Sequence, residues 1–233
     1  MSYRKTAIAS SLSFLLLAAA HAHAGTSGSI ALTSDYLFRG ITQTNEEPAL
    51  QGGIEYAHDG GFYVGAWGSS ISWLSDADPD VSSQVEIDGY AGYRGSFGDS
   101  GVGFDVGALY YWYPGDYPPG FTDPDTTEVY VGLGYRLFTA KYSHAVTDLF
   151  GLPGSDSSGA LDLAANWEFA PSWTLNAAVG KQWVEGYDGA DYAYWKLGVG
   201  KSFDNGFVLA AAWNDNDLIG PDETVTFTVT KGF

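Results

Sequence analysis

The sequence predicts an all-β protein, a closed antiparallel transmembrane β-barrel of about twelve strands. Three observations predict it: segments of about ten residues with alternating apolar and polar side chains, connections that alternate tight turns with long loops, and an export leader at the N-terminus.

The leader comes first in the chain. Arg4 and Lys5 form a basic n-region, Thr6 to Ala20 an apolar stretch, and Ala22-His23-Ala24 a small-residue cleavage site, so residues 1–24 read as a signal peptide. The apolar stretch is under ~18 residues, too short to span a bilayer as a helix. The remaining 25–233, about 209 residues, read as one outer-membrane barrel domain beginning at Gly25. Cysteine is absent, which excludes disulfides, thiolate metal sites and cysteine nucleophiles. The formal charge of −18 falls to about −20 without the leader, which argues against nucleic acid or any other polyanion as the main partner.

From Gly28 onward the alternating segments run 28–41, 47–57, 61–72, 83–94, 102–112, 126–136, 137–144, 159–170, 172–183, 191–202, 206–214 and 223–233. Helical periodicity is nowhere sustained. Tight turns fall at Asp59-Gly60, Gly98-Asp99-Ser100, Arg136-Leu137, Ala170-Pro171-Ser172 and Asp204-Asn205. Between them lie long connections such as 73–82, 113–125 and 145–158, rich in Pro, Gly, Asp and Ser. Short turns on one side and long loops on the other place the turns and both termini in the periplasm and the loops outside.

Charge parity sorts the two faces of each strand, because a lipid-facing row must lack charge near the bilayer midplane. In 83–94, Glu86, Asp88 and Arg94 oppose Val85, Ile87, Ala91 and Tyr93. Asp105 opposes Val102, Phe104, Val106, Tyr110 and Trp112, and Glu128 and Arg136 oppose Val129, Val131, Leu133 and Tyr135. Asp162, Asn166 and Glu168 likewise oppose Leu161, Leu163, Trp167 and Phe169. Lys181, Lys201 and Lys231 take the lipid parity, but each lies near a strand end where its stem reaches the headgroups. Parity in 61–72 does not choose between the Phe62, Val64, Ala66 face and the Tyr63, Trp67, Ile71 face. On this assignment Phe104, Tyr135, Trp167, Phe169, Trp173, Phe207 and Phe233 ring the periplasmic rim, with Trp112, Trp183 and Trp213 at the outer one. The final strand, Thr224 to Phe233, alternates strictly and ends on an aromatic residue, resembling the signal read by outer-membrane insertion machinery; Phe233 is its candidate residue.

The stretch Ser34-Asp35-Tyr36-Leu37-Phe38-Arg39-Gly40-Ile41-Thr42-Gln43-Thr44, then Pro48-Ala49-Leu50-Gln51-Gly52, Gly61-Phe62-Tyr63-Val64-Gly65-Ala66-Trp67-Gly68-Ser69 and Glu86-Ile87-Asp88-Gly89-Tyr90-Ala91-Gly92-Tyr93, resembles the proteobacterial TorF-type porin family. The resemblance runs over the mature chain and is most specific in its first four strands. It implies an outer-membrane barrel, with the likeness carried at Asp35, Arg39 and the Glu86/Asp88 pair; it brings no established substrate and no catalytic residues.

The candidate lumen-lining residues are Asp35, Arg39, Glu55, Glu86, Asp88, Arg94, Asp105, Glu128, Arg136, Lys141, Asp162, Glu168 and Lys196. Two readings follow. Such a mixed but acid-rich lining suits a channel for ions or small polar solutes with a preference for cations. Alternatively the lumen is closed, with Arg39, Arg94 and Arg136 bridged to carboxylates and Tyr90 and Tyr130 as filler, leaving a scaffold whose acidic loops bind a partner, a ligand or divalent cations. Asp76-Ala77-Asp78-Pro79-Asp80 departs from an EF-hand loop by its proline and its missing Gly and distal Glu, so no metal site and no cofactor is assigned. No catalytic residue is assigned either: Ser143 and His144 are adjacent on a strand and point to opposite faces, and His58 lies in a tight turn. A soluble secreted β-sandwich would share the leader and the alternation, but it would carry its charges on the outer faces. The expected location is the cell outer membrane, in contact with its lipid and lipopolysaccharide.

Overall fold

The computed structural model describes residues 24–218 and 223–233. The expected signal peptide lies outside these residues except for Ala24. Twelve antiparallel strands close into one barrel. In chain order these are β1 (Gly25–Thr33), β4 (Ala49–Ala57), β5 (Phe62–Ser70), β6 (Val85–Ser96), β7 (Val102–Trp112), β8 (Thr126–Tyr135), β9 (Phe138–Ala145), β10 (Gly159–Ala170), β11 (Trp173–Trp183), β12 (Tyr192–Ser202), β13 (Phe207–Asn216) and β14 (Thr224–Gly232). A two-stranded hairpin, β2 (Leu37–Phe38) with β3 (Ile41–Thr42), stands apart from the wall.

Each strand pairs with its chain neighbour, and β1 pairs with β14 to close the ring, so no sheet edge is left unpaired. The seam ends with the Phe233 N–H donating to the Gly28 carbonyl and the Gly28 N–H to the Phe233 carbonyl, both at 3.0 Å. The tight connections all lie at the end of the barrel that holds β1's start and β14's finish, called here the turn end. The opposite, loop end carries the long connections, including a one-turn helix α1 (Trp73–Ala77) where the alternation pattern had suggested only loop.

Outward side chains form the apolar belt that parity predicts: Ile54, Val64, Val131, Leu163, Val179 and Phe227, on six of the twelve strands, are all exposed. Phe62 and Val64 face out and Tyr63 inward, which settles the orientation of β5. Exposed Trp112, Trp183 and Trp213 lie towards the loop end and Tyr135, Trp167, Phe169, Trp173 and Phe207 towards the turn end. Lys181, Lys201 and Lys231 lie over the Trp183, Trp173 and Phe207 rings at 5.6, 5.0 and 5.4 Å, apolar stems on the wall and ammonium groups at the rim.

The inner wall is fitted together by tyrosines lying over glycines. Tyr90 stands opposite Gly65, Tyr63 opposite Gly92, Tyr130 opposite Gly107 and Tyr194 opposite Gly180 in register. Each ring occupies the volume that a Cβ on its partner would need; at Gly107 such an atom would fall 2.5 Å from the Tyr130 hydroxyl and 2.6 Å from the Ala91 carbonyl.

One expected strand is wrong in length. The segment 28–41 leaves the wall after Thr33, and the chain turns into the lumen before returning at Ala49. Arg39 and Gly40 carry φ of 48° and 80°, the two left-handed positions of a tight hairpin turn between Phe38 and Ile41. Alternation continues through this hairpin, so a wall strand and a short inward hairpin share one pattern.

Candidate functional site

The inward hairpin roofs the lumen at the loop end. Asp35 fixes its shape, its Oδ1 accepting from Thr42 Oγ1 at 2.6 Å and Thr44 Oγ1 at 2.9 Å. At the tip, Arg39 donates through Nη1 and Nη2 to the two carboxylate oxygens of Glu128, each at 2.8 Å, and through Nη1 to Gln182 Oε1 at 2.7 Å. Asn216 Nδ2 donates to the Gly40 carbonyl at 2.9 Å, and the Tyr36 hydroxyl donates to Glu86 Oε1 at 2.9 Å. The hairpin is therefore tied to β6, β8, β11 and β13, across the full width of the barrel. Burial works against the charge on Arg39, but the Glu128 carboxylate outweighs it and holds the guanidinium charged, above its ordinary value. Burial, with Glu86 adding to it, raises the Tyr36 phenol well above its ordinary range, so it stays a donor.

Aromatic packing completes the roof. Tyr36 meets Trp67 edge-on at 5.4 Å, Phe38 meets Tyr111 at 5.7 Å and Phe150 at 5.5 Å, and Trp73 of α1 meets Tyr113 at 5.5 Å. Buried Ile71, Leu74 and Val81 from the β5–β6 connection pack into the same cluster.

Beneath the roof the inward side chains form polar pairs. Tyr63 donates to Asp105 Oδ1 at 2.6 Å, and the Tyr130 hydroxyl is in close contact with that of Tyr63. Arg94 pairs with Glu55 and lies 4.2 Å from the Tyr63 ring centre. Lys141 lies 4.4 Å from the Tyr130 ring centre, and the Tyr194 hydroxyl bonds Asp162. From β10 round to β1 the inner face is mostly small, with Ala164, Ala178, Gly198, Gly200, Ala210, Ala212, Thr226 and Thr228 in register.

The structure turns Glu55, Glu86, Asp88, Arg94, Asp105, Glu128, Lys141, Asp162 and Lys196 inward from the wall and brings Asp35 and Arg39 in on the hairpin. One assignment needs correction. Arg136 is exposed in the two-residue turn, at φ 56°, with its guanidinium 5.1 Å from the Tyr135 ring centre, because the strand ends one residue earlier than its alternation suggests. Glu168 keeps the inward parity but is exposed at the turn end of β10, beside a register shift, and accepts from the Ser172 N–H at 3.3 Å. Tyr36, Gln182 and Asn216 were missed as ligands of the hairpin; nothing in local alternation marks them. Ser143 is buried inside while His144 stacks on Tyr142 outside, so the two stay apart. Among the described residues no group of three or more His, Cys, Asp or Glu is placed to hold a metal ion. The loop carboxylates instead brace their own loops, as where Asp148 Oδ1 accepts from the Gly154 N–H and Asp191 Oδ1 from the Val184 N–H.

A closed twelve-strand barrel with an apolar outer belt and a charged lumen defines a transmembrane β-barrel of the outer-membrane type. Residues 18–233 match the family described as "Bacterial protein of unknown function (Gcw_chp)", and the chain belongs to that family. No curated protein matches the sequence. Among solved structures the chain is similar to the KdgM porin, at 8% identity, covering 89% of this chain and 98% of that one with a TM-score of 0.58. It is also similar to the COG4313 outer membrane channel from Pseudomonas putida F1, at 12% identity, covering 92% and 97% with a TM-score of 0.53. At these identities the likeness is one of fold.

Proposed function

We propose that this protein is an outer-membrane channel for ions or small polar solutes, with a preference for cations, whose loop-end entrance is narrowed by the β2–β3 hairpin. The observation that carries this reading is the charge on the inner wall, where Glu55, Glu86, Asp88, Asp105, Glu128 and Asp162 outnumber Arg94, Lys141 and Lys196, together with the mostly small inner face from β10 round to β1. A barrel serving only as a scaffold would gain more stability from an apolar filling than from inward charges, each of which must be desolvated and paired. The turns then face the periplasm and the loops the exterior, where lipid and lipopolysaccharide surround the belt and acidic loops keep polyanions such as nucleic acid away. Insertion machinery would read the strand ending at Phe233. The likeness to the TorF-type family is in line with this role.

A second reading is favoured by the Arg39–Glu128 fork and the aromatic roof: a barrel held shut, whose acidic loops engage a partner or divalent cations. Single-channel conductance of the refolded protein in a planar bilayer, under a salt gradient, separates the two. Reproducible steps whose reversal potential favours the cation support the channel; silence from a folded barrel supports the closed scaffold.

A further inference from the structure

Two inward charges differ from all the others. Glu55, Glu86, Asp105, Glu128 and Asp162 each accept from a named donor, and Arg39, Arg94 and Lys141 each contact a carboxylate or a ring. Asp88, only 1% exposed, has no hydrogen-bond partner for either carboxylate oxygen. Lys196 has no ion pair, hydrogen bond or ring contact among the described residues. A buried charge kept without a partner is costly and is not explained by stability.

Their positions are related. Asp88 is on β6 and Lys196 on β12, six places apart in a ring of twelve, so they stand on opposite walls. The registers accumulate a strand tilt around the ring, and following them from β6 to β12 brings Asp88 and Lys196 to the same depth. Asp88 is flanked in register by the rings of Trp67 and Tyr111, a setting that suits an ammonium group. Lys196 is flanked in register by the small Ala178 and by Asn214, whose amide bonds its own wall, so its ammonium group is left as the charge that a carboxylate would meet.

We propose that Asp88 and Lys196 form a binding site for zwitterionic solutes of about dipeptide size, the ammonium end held at Asp88 and the carboxylate end at Lys196. This names the solute class for the lumen read above as a channel, and rests on that reading for passage though not for binding. An extended dipeptide carries its two charges roughly 7 Å apart, so with the hairpin withdrawn each end can turn towards one of the two counter-charges. The hairpin packs Tyr36 on Trp67 beside Asp88 and sets Gly40 against Tyr194, two residues from Lys196, so it spans the space between the two charges and must yield for a solute to bind.

The test is titration calorimetry of the folded, detergent-solubilised barrel with glycylglycine, using uncharged N-acetylglycinamide as the control, in wild type and in Arg39→Gln, where the roof is loosened. Saturable heat with glycylglycine alone is expected. Asp88→Asn and Lys196→Gln should each weaken it at least tenfold, while Lys196→Arg retains it. Absence of saturable binding in both wild type and Arg39→Gln overturns the proposal, as does unchanged binding in folded Asp88→Asn and Lys196→Gln. Conductance is read separately: binding without steps keeps the site and removes the channel, and steps without binding remove the site and keep the channel.

Discussion

Arg39 at the hairpin tip and Glu128 on β8 form a two-pronged ion pair, both N–H···O distances 2.8 Å, inside a barrel whose chain separates them by 89 residues. The fork joins the one inward-folded segment to the wall. Breaking a buried pair from one side leaves the other charge unmatched and costs about 3–5 kcal/mol. Arg39→Gln should therefore release the hairpin: protease cleavage within 34–48 should appear in the folded barrel and channel open time should rise. Glu128→Gln should act in the same direction, and the double variant should cost less than the two singles together. A hairpin that stays protected in Arg39→Gln would mean that the aromatic roof alone holds it.

The fit of Tyr130 over Gly107 predicts a size limit. Gly107→Val should force the ring off the wall and disturb its contacts with Tyr63 and Lys141, with a loss of about 1–3 kcal/mol of the kind overpacking brings. Urea unfolding in detergent measures it, and Gly200→Ala, where an added Cβ meets nothing nearer than 3.9 Å, is the control expected to change little.

The two faces of the wall should respond oppositely to charge. Val131→Lys puts an ammonium mid-strand on the exposed apolar belt and should cost about 2–4 kcal/mol in a bilayer. Ala210→Lys, on the inner face beside Gly200, should fold in lipid at near wild-type yield while shifting ion preference towards anions. Folding yield into vesicles and reversal potential read the two effects; equal yields would contradict the assigned faces.

At the seam, deleting Phe233 removes the last two backbone bonds to Gly28 and an aromatic side chain that is 77% exposed. Slower closure and a lower folded fraction are expected in vesicles. Phe233→Tyr, which keeps both the backbone pair and the ring, should restore them.

The twelve strands were legible because lipid and lumen impose a strict period of two on each strand, and turns and loops punctuate it differently. That rule gives Glu86, Asp88, Asp105, Glu128 and Asp162 the parity opposite to the apolar belt. It failed where the same period serves another structure. Residues 34–44 alternate like a strand, yet the left-handed Arg39-Gly40 pair turns them into the lumen; an Arg-Gly dipeptide between Leu37-Phe38 and Ile41-Thr42 was the available signal. Arg136 was overextended because β8 ends at Tyr135 and the next residue turns with φ 56°, although the alternation of residue types runs one position further.

What the sequence determined by itself is the wall: an acidic, cysteine-free chain whose side-chain alternation separates a lipid face from a charged inner face. Only the tertiary structure decided what the inner charges meet. Partners such as Arg39 and Glu128 lie far apart in the chain, and their meeting depends on how register and tilt accumulate around a closed ring. Local periodicity fixes which face a side chain takes, whereas depth and opposition are properties of the closed barrel as a whole.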